Sequence, residues 1–369
     1  TLVVTAANQA RTYGAFNRPL TFTYSGFVPG DDASGLASVP AATTTASPGS
    51  PAGTYPIGIG GGASDDYDFV YIPGTLTIEK ATVSVRADDK MRTYGGPNPP
   101  FTLTYSGFVN GDDEHDLATM PGATTLAAVT SPAGTYPITV GGGVSQNYEF
   151  NYSAGSLTVG KATLMVTADD KSRTYGSANP VLTVSYSGFV NGEDPGVLTA
   201  EPVATTLASA DSPAGNYAIA AAGGLSENYD ISYTAGTLAV NKAMLTVTAD
   251  DKSRRYGSAN PALTVSYSGF VNGDAETDLD TAPIAVTTAT VSTAAGSYPV
   301  TVQHGVSGNY DFTYNPGILT IEKAPLTVKA DHQSRRYGAA NPLLTLAYAG
   351  FVNGEDPGAL VAEPSATTT

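Results

Sequence analysis

Asp88-Asp89, Asp169-Asp170 and Asp250-Asp251 place two adjacent carboxylates at one phase of a repeating sequence. A second acidic phase holds Asp31-Asp32, Asp112-Asp113-Glu114, Glu193-Asp194, Asp274 with Glu276, and Glu355-Asp356. Clustered carboxylates are what a hard cation needs, because calcium collects several oxygen ligands at once. Calcium is therefore the candidate cofactor, with Asp88, Asp89, Asp112, Asp113, Asp169, Asp170, Asp250 and Asp251 as candidate ligands. Turn formation, helix capping and solubility use the same residue types. The pattern favours those roles, since neither EF-hand spacing nor a Gly-Gly-x-Gly-x-Asp repeat is present. The pair is also replaced by Ala7-Asn8 in the first copy and by Asp331-His332 in the fifth.

For catalysis the residues offer less. His115, His304 and His332 fall at different phases, so no copy holds a pair of histidines. Adjacent aspartates do not face each other across a cleft, as the two carboxyls of a glycosidase must. Gly60-Gly61-Gly62 and Gly141-Gly142-Gly143 lack the Gly-Lys-Ser/Thr that completes a phosphate loop. The absence of cysteine removes thiol nucleophiles, disulfides and Cys-zinc sites together. These observations predict a non-catalytic chain.

The basic residues are more telling. Of 17 Lys and Arg, all but Arg18 lie in the stretch that runs from a recurrent Lys, or in the first copy from residue 1, to the Tyr-Gly that follows. Lys80, Lys161, Lys242 and Lys323 form one series, and Arg11, Arg92, Arg173, Arg254 and Arg335 another. One end of each unit is basic and its body acidic. This banding predicts electrostatic docking between successive units. The predicted inter-domain contacts are Lys80, Arg92, Lys161, Arg173, Lys242, Arg254, Lys323 and Arg335. The recurrent tyrosines, Tyr13 and Tyr24 and their equivalents, read as core or corner residues.

The elements that carry these residues repeat with a period of 81. Tyr-Gly recurs at Tyr13, Tyr94, Tyr175, Tyr256 and Tyr337, and the Tyr-x-Gly-Phe-Val run beginning at Tyr24 keeps the same step. The units are 1–80, 81–161, 162–242 and 243–323, with an incomplete fifth over 324–369. Within the fourth copy, Leu245–Ala249 alternates apolar and polar residues as a half-buried strand does. Further strands are expected around residues 263–268, 284–288, 298–302, 310–314 and 319–321. Asp250–Gly257 reads as a polar loop, and Asp274–Leu279 is the one stretch that suits a turn or two of helix. The joins, such as Ile318–Ala330, hold no Gly/Ser linker. The expected whole is a mostly-β tandem array forming a stiff, elongated rod.

The net charge of −16 argues against nucleic acid and anionic membranes as partners. No run of about 20 apolar residues is present to span a bilayer. With neither an initiator Met nor a signal peptide, the chain reads as a piece of something longer.

Thr167–Pro180, Tyr186–Gly192, Ala214–Tyr217 and Asn228–Asp230 carry a family likeness. They resemble the MBG domain of the YGX type, and the likeness extends over all five copies. That resemblance implies a β-grasp-like fold, with an immunoglobulin-like sandwich as the alternative. It implies tandem use in large extracellular or cell-surface bacterial proteins, adhesins among them, and it brings no catalytic residues. The expected function is a non-catalytic stalk or spacer. The alternatives are a fibre-forming subunit completed by a strand from an identical neighbouring chain, or a repeated weak binding module for a host or matrix glycan or protein.

Overall fold

The computed structural model describes residues 1–369. Seven strands build the first repeat: β1 (Leu2–Ala6), β2 (Gln9–Thr12), β3 (Phe22–Ser25), β4 (Ala41–Thr43), β5 (Gly53–Gly60), β6 (Phe69–Ile72) and β7 (Gly74–Glu79). They form two sheets, ordered β3-β1-β6 and β2-β7-β5-β4. β1 runs antiparallel to β3 and parallel to β6. β7 runs parallel to β2 and antiparallel to β5.

Side-chain alternation decides which faces meet. Leu2, Val4 and Ala6 are the buried positions of β1, with Val3 and Thr5 between them only partly covered. Strand β1 lies across β5 and β7, and Ala6 shares a core with Ile57, Leu76 and Ile78. The chain passes from one sheet to the other at Pro73-Gly74. A Cβ on Gly74 would stand 2.7 Å from the Ala6 carbonyl oxygen. The same crowding recurs at Gly155, Gly236 and Gly317, at 2.3, 2.2 and 2.3 Å. Only glycine lets the two backbones come this close.

The second repeat restates the succession as β8 (Ala81–Ala87), β9 (Lys90–Thr93), β10 (Leu103–Ser106), β11 (Gly122–Thr124), β12 (Gly134–Gly141), β13 (Tyr148–Ser153) and β14 (Gly155–Gly160). Its sheets are β10-β8-β13 and β11-β12-β14-β9. Seven strands follow again between Ala162 and Asn241, and again between Ala243 and Glu322. Residues 324–369 contribute one antiparallel pair, Thr327–Ala330 with Leu346–Ala349. The chain divides into two compact units. One is Thr1–Met165 with Tyr186–Glu201 and Gly224–Ser232; the other is Val166–Ser185 with Pro202–Gly223 and Tyr233–Thr369. The dividing line runs inside the third repeat.

The mostly-β tandem array is as expected. Each complete repeat is two sheets with no α-helix, which fits the sandwich alternative. The helical stretch at Asp274–Leu279 is a single 3-10 turn, Glu276–Asp278. Lys252–Arg255, read as loop, is a strand paired in parallel with Gly317–Glu322. Lys252 and Arg255 sit on the outermost strand of their sheet, where Lys and Arg guard an unpaired edge, while Arg254 between them is buried.

Candidate functional site

Strand β7 ends at Glu79 and β8 begins at Ala81, so Lys80 is the whole connection between the first two repeats. Lys161 and Lys242 are one-residue connections in the same way. With so short a join, the loops beside it are pressed together, and the recurrent motifs meet there.

The Tyr13-Gly14 loop of the first repeat seats on Val109, Asp112 and Tyr148 of the second. The Tyr13 hydroxyl donates to Asp112 Oδ2 at 3.0 Å. Tyr148 donates to the same oxygen at 2.8 Å. The two rings meet edge to face, 5.5 Å apart at 86°, a favoured aromatic arrangement. Gly14 has φ +83, and a Cβ there would lie 2.4 Å from Val109 Cγ2. Around this contact the Lys80 ammonium donates to the Ser145 carbonyl at 2.7 Å. The Ala52 amide donates to Asn147 Oδ1 at 3.0 Å.

The arrangement is rewritten at the next joints. Tyr94 donates to Glu193 Oε1, and Tyr229 to Glu193 Oε2 at 2.5 Å. Tyr175 and Tyr310 donate to Asp274 Oδ2 at 3.1 and 2.8 Å. The ring pairs are 5.7 Å apart in both cases, at 87° and 89°. Lys161 reaches the Ser226 carbonyl and Lys242 that of Ser307, at 2.9 and 2.7 Å. Asn228 and Asn309 accept from the Ala133 and Ala214 amides, each at 2.9 Å. In the last joint Tyr256 donates to Glu355, and Val352 packs on Gly257.

Burial sets the electrostatics. Tyr148, Tyr229 and Tyr310 are each 2% exposed. Loss of water around the ring, and then the neighbouring carboxylate, pushes the phenols of Tyr229 and Tyr310 up to about 12. Burial raises Tyr148 as well. Tyr94 is raised first by its hydrogen bond to Glu193. The hydroxyls therefore stay protonated and act as donors to the carboxylate.

The description "MBG domain (YGX type)" matches residues 2–77, 83–158, 164–239, 245–320 and 326–369. This chain belongs to the MBG-domain family. No curated protein matches it. Among solved structures, Sidekick-1 immunoglobulin domains 1–4 are similar at 11% identity with a TM-score of 0.22, over 73% of this chain and 83% of that one. The three N-terminal domains of the bacteriophage RB49 Highly Immunogenic Outer Capsid protein are similar at 10% identity and a TM-score of 0.20. That match covers 74% of this chain and 95% of the other.

Within each MBG repeat the residues singled out from sequence have separate fates. Lys80, Lys161 and Lys242 stand at the joints, but each meets a backbone carbonyl and not an acidic loop. Lys323 makes no hydrogen bond. The arginines do not cross the joint. Arg92 donates to Asn98 Oδ1 at 2.8 Å and to the Ala128 carbonyl at 2.5 Å. Arg173 donates to Asn179 and Ser209, and Arg254 to Asn260 and Thr290. All these partners lie inside the arginine's own repeat, where the guanidinium staples the Tyr-Gly loop to the loop between two other strands of the same sheet, as between β11 and β12. Arg335 is exposed and bonds only the Ala339 carbonyl. Ion pairs form only within single repeats, as in Arg86–Asp89 and Lys252–Asp250. Charge banding thus overstated ionic docking: the cations are satisfied by carbonyls and the carboxylates by phenols.

The aspartate pairs are hydrogen-bond acceptors within a repeat. Asp88 accepts from the Thr102 and Thr104 hydroxyls, Asp169 from Thr183 and Ser185, and Asp250 from Thr264 and Ser266. Those hydroxyls hold all three carboxyls below the usual range. Asp89, Asp170 and Asp251 accept from the Ser156, Thr237 and Ile318 amides. Asp112 belongs to the joint, and Asp113 caps a 3-10 turn through the His115 amide at 2.8 Å. Asp113, Glu114 and His115 bring their ligand atoms within 4.8 Å of one another. The cluster is not repeated in the other copies.

From sequence, Asp112 stands out only as a candidate calcium ligand, and Val109, Asn147 and Tyr148, which complete the acceptor half of the joint with it, carry no expected role there. A signal was present. Ser-x-Asn-Tyr stands at Ser145, Ser226 and Ser307, while the first repeat has Ser64-Asp65-Asp66-Tyr67. In the second, third and fourth repeats that Asn accepts from an amide of the repeat before it.

Proposed function

We propose that this chain is a spacer segment of a bacterial cell-surface or secreted adhesin-like protein, with recognition carried elsewhere in that protein and no catalysis of its own. The observation that supports this reading is the joint. One set of contacts, Tyr-Gly on Val, carboxylate and Tyr, is rewritten from repeat to repeat around a one-residue connector. Repetition of a contact serves spacing, whereas a reactive centre needs one copy to differ. Buried rings, a glycine without room for a Cβ and a lysine bound to a fixed carbonyl all oppose bending at the join.

Solution scattering tests the reading on two proteins. One is the chain itself; the other carries Tyr13→Ala, Tyr94→Ala and Tyr175→Ala. A spacer keeps one narrow distribution of dimensions across salt concentration, because its joints hold no ion pair to screen, and the variant broadens. Equal flexibility in the two proteins would sink the idea. Filament formation and repeated weak glycan binding are the competing functions. Light scattering that shows only monomer and a blank glycan array distinguish the spacer from both.

A further inference from the structure

We propose that each complete joint is a site of oxidative tyrosine coupling. Tyr13 would join Tyr148, Tyr94 join Tyr229, and Tyr175 join Tyr310, each through a carbon–carbon bond between the ring positions beside the hydroxyls. The product is a dityrosine that ties one repeat covalently to the next.

Three features of the joint carry this. The rings are neighbours, 5.5 to 5.7 Å between centroids. Both hydroxyls of a pair bond one carboxylate, Asp112, Glu193 or Asp274, so the ring carbons flanking those hydroxyls are also brought together. The rings stand nearly perpendicular, but turning a ring about its long axis leaves the hydroxyl in place on the carboxylate. Finally, that carboxylate is a base at hydrogen-bond distance from the proton that must leave. A phenol in an apolar site resists oxidation unless its proton departs with the electron, because the cation left behind is unsolvated.

A route for the electron is also built in. Tyr105 and Phe108 are 5.9 Å apart, Phe108 and Tyr148 5.2 Å, and Tyr148 then touches Tyr13. The third repeat has Tyr186, Phe189 and Tyr229 in the same order, and the fourth Tyr267, Phe270 and Tyr310. The half-buried outer tyrosine links the closed pair to the surface. The chain has no Cys and no Trp to intercept the oxidation.

The step balances with a named oxidant. Two phenols lose two electrons and, through the carboxylate, two protons. The paired radicals form the carbon–carbon bond, and each ring hydrogen at that bond moves to its oxygen, restoring two hydroxyls. Persulfate accepts the two electrons and leaves as two sulfates.

The test uses the full chain with persulfate and light-activated ruthenium tris-bipyridyl. The expected result is dityrosine fluorescence in the monomeric fraction and an intact mass lower by two hydrogen atoms per coupled joint. Peptide mapping should join Tyr13 to Tyr148, Tyr94 to Tyr229 and Tyr175 to Tyr310, with a yield per molecule that does not change on dilution. Tyr13→Phe, Tyr94→Phe and Tyr175→Phe together should abolish these peptides. Coupling found only between chains, or only at the exposed Tyr337, overturns the proposal. So does an intrachain yield that survives the three substitutions. The dilution and mapping results on the unmodified chain decide the matter even if that variant folds poorly.

Discussion

Gly95 answers to two constraints that act at different ranges. Its φ of +79 is a conformation L side chains avoid, and its missing Cβ makes room for Val190 Cγ2, which would lie 2.4 Å away. Gly95→Ala should therefore cost about 1–2 kcal/mol for the left-handed backbone and about 1–3 kcal/mol for overpacking. Val190→Ala should return only the part of the second cost that its methyls impose, because the Cβ at position 190 would still lie 2.6 Å from the new one, and should leave the first. Denaturant titration of the two single variants and the double variant gives the coupling directly. If the costs simply add, the glycine is there for its backbone alone. The tyrosines of the joint give a second residue-scale prediction. A phenol whose folded value lies above its ordinary value of about 10 favours folding while protonated. For Tyr229 and Tyr310 that contribution is whole below about pH 10 and is lost as pH rises through about 12. Tyrosinate absorbance should show an exposed class ionising first, with the buried class following in step with loss of circular dichroism. A single class near the ordinary value, with the fold intact, would contradict the buried donor role.

At the scale of elements, the joint and the staple should differ in strength. Arg173 is 7% exposed and holds the Tyr-Gly loop by charged hydrogen bonds to Asn179 and Ser209. Lys161 is exposed and makes one bond, to the Ser226 carbonyl. Bonds to charged groups contribute about 1.5–3 kcal/mol each when shielded from water; Arg173 makes two under cover, whereas Lys161 makes one in solvent. Arg173→Met should thus destabilise more than Lys161→Met in thermal unfolding, and the reverse order would mean the loop is held by something else. The same two residues show what the sequence could and could not disclose. Lys161 recurs at each join, so its place at the boundary could be read directly. Arg173 recurs equally well but lies on a strand of charged residues that pattern alone gives as loop, so its inward turn was hidden. The carboxylate at Asp112, Glu193 and Asp274 was visible as an acidic phase. Its partner was not, because Tyr13 stands 99 positions before Asp112. A reading confined to one copy finds the tyrosine to be core, as it is, but looks for partners inside that copy and so does not find the hydroxyl's acceptor in the next.

For the molecule as a whole, the first joint determines how much a repeat can be without its neighbour. Ala6, Tyr13, Ala46, Ile57, Leu76 and Ile78 of the first repeat form one buried cluster with Ala81, Val83, Val85, Leu117 and Tyr148 of the second. A unit of about 80 residues buries a modest core when alone, and here part of that core is lent across the join. Each large side chain fully buried contributes about 1.5–3 kcal/mol, so a repeat cut free loses a sizeable share of a stability that is itself small. Nearest-neighbour terms of this kind make tandem arrays unfold in longer stretches than one repeat. The pair 1–161 should therefore unfold in urea as one transition, with a steeper dependence on denaturant than either 1–80 or 81–161 measured alone. Its midpoint should lie above both. Tyr13→Ala in the pair should split the curve into two shallower steps, because it removes the ring, and with it the hydroxyl on Asp112, that the second repeat closes over. A pair whose curve equals the sum of its separate halves, with or without Tyr13, would show that the shared cluster fills space at the join without coupling the repeats.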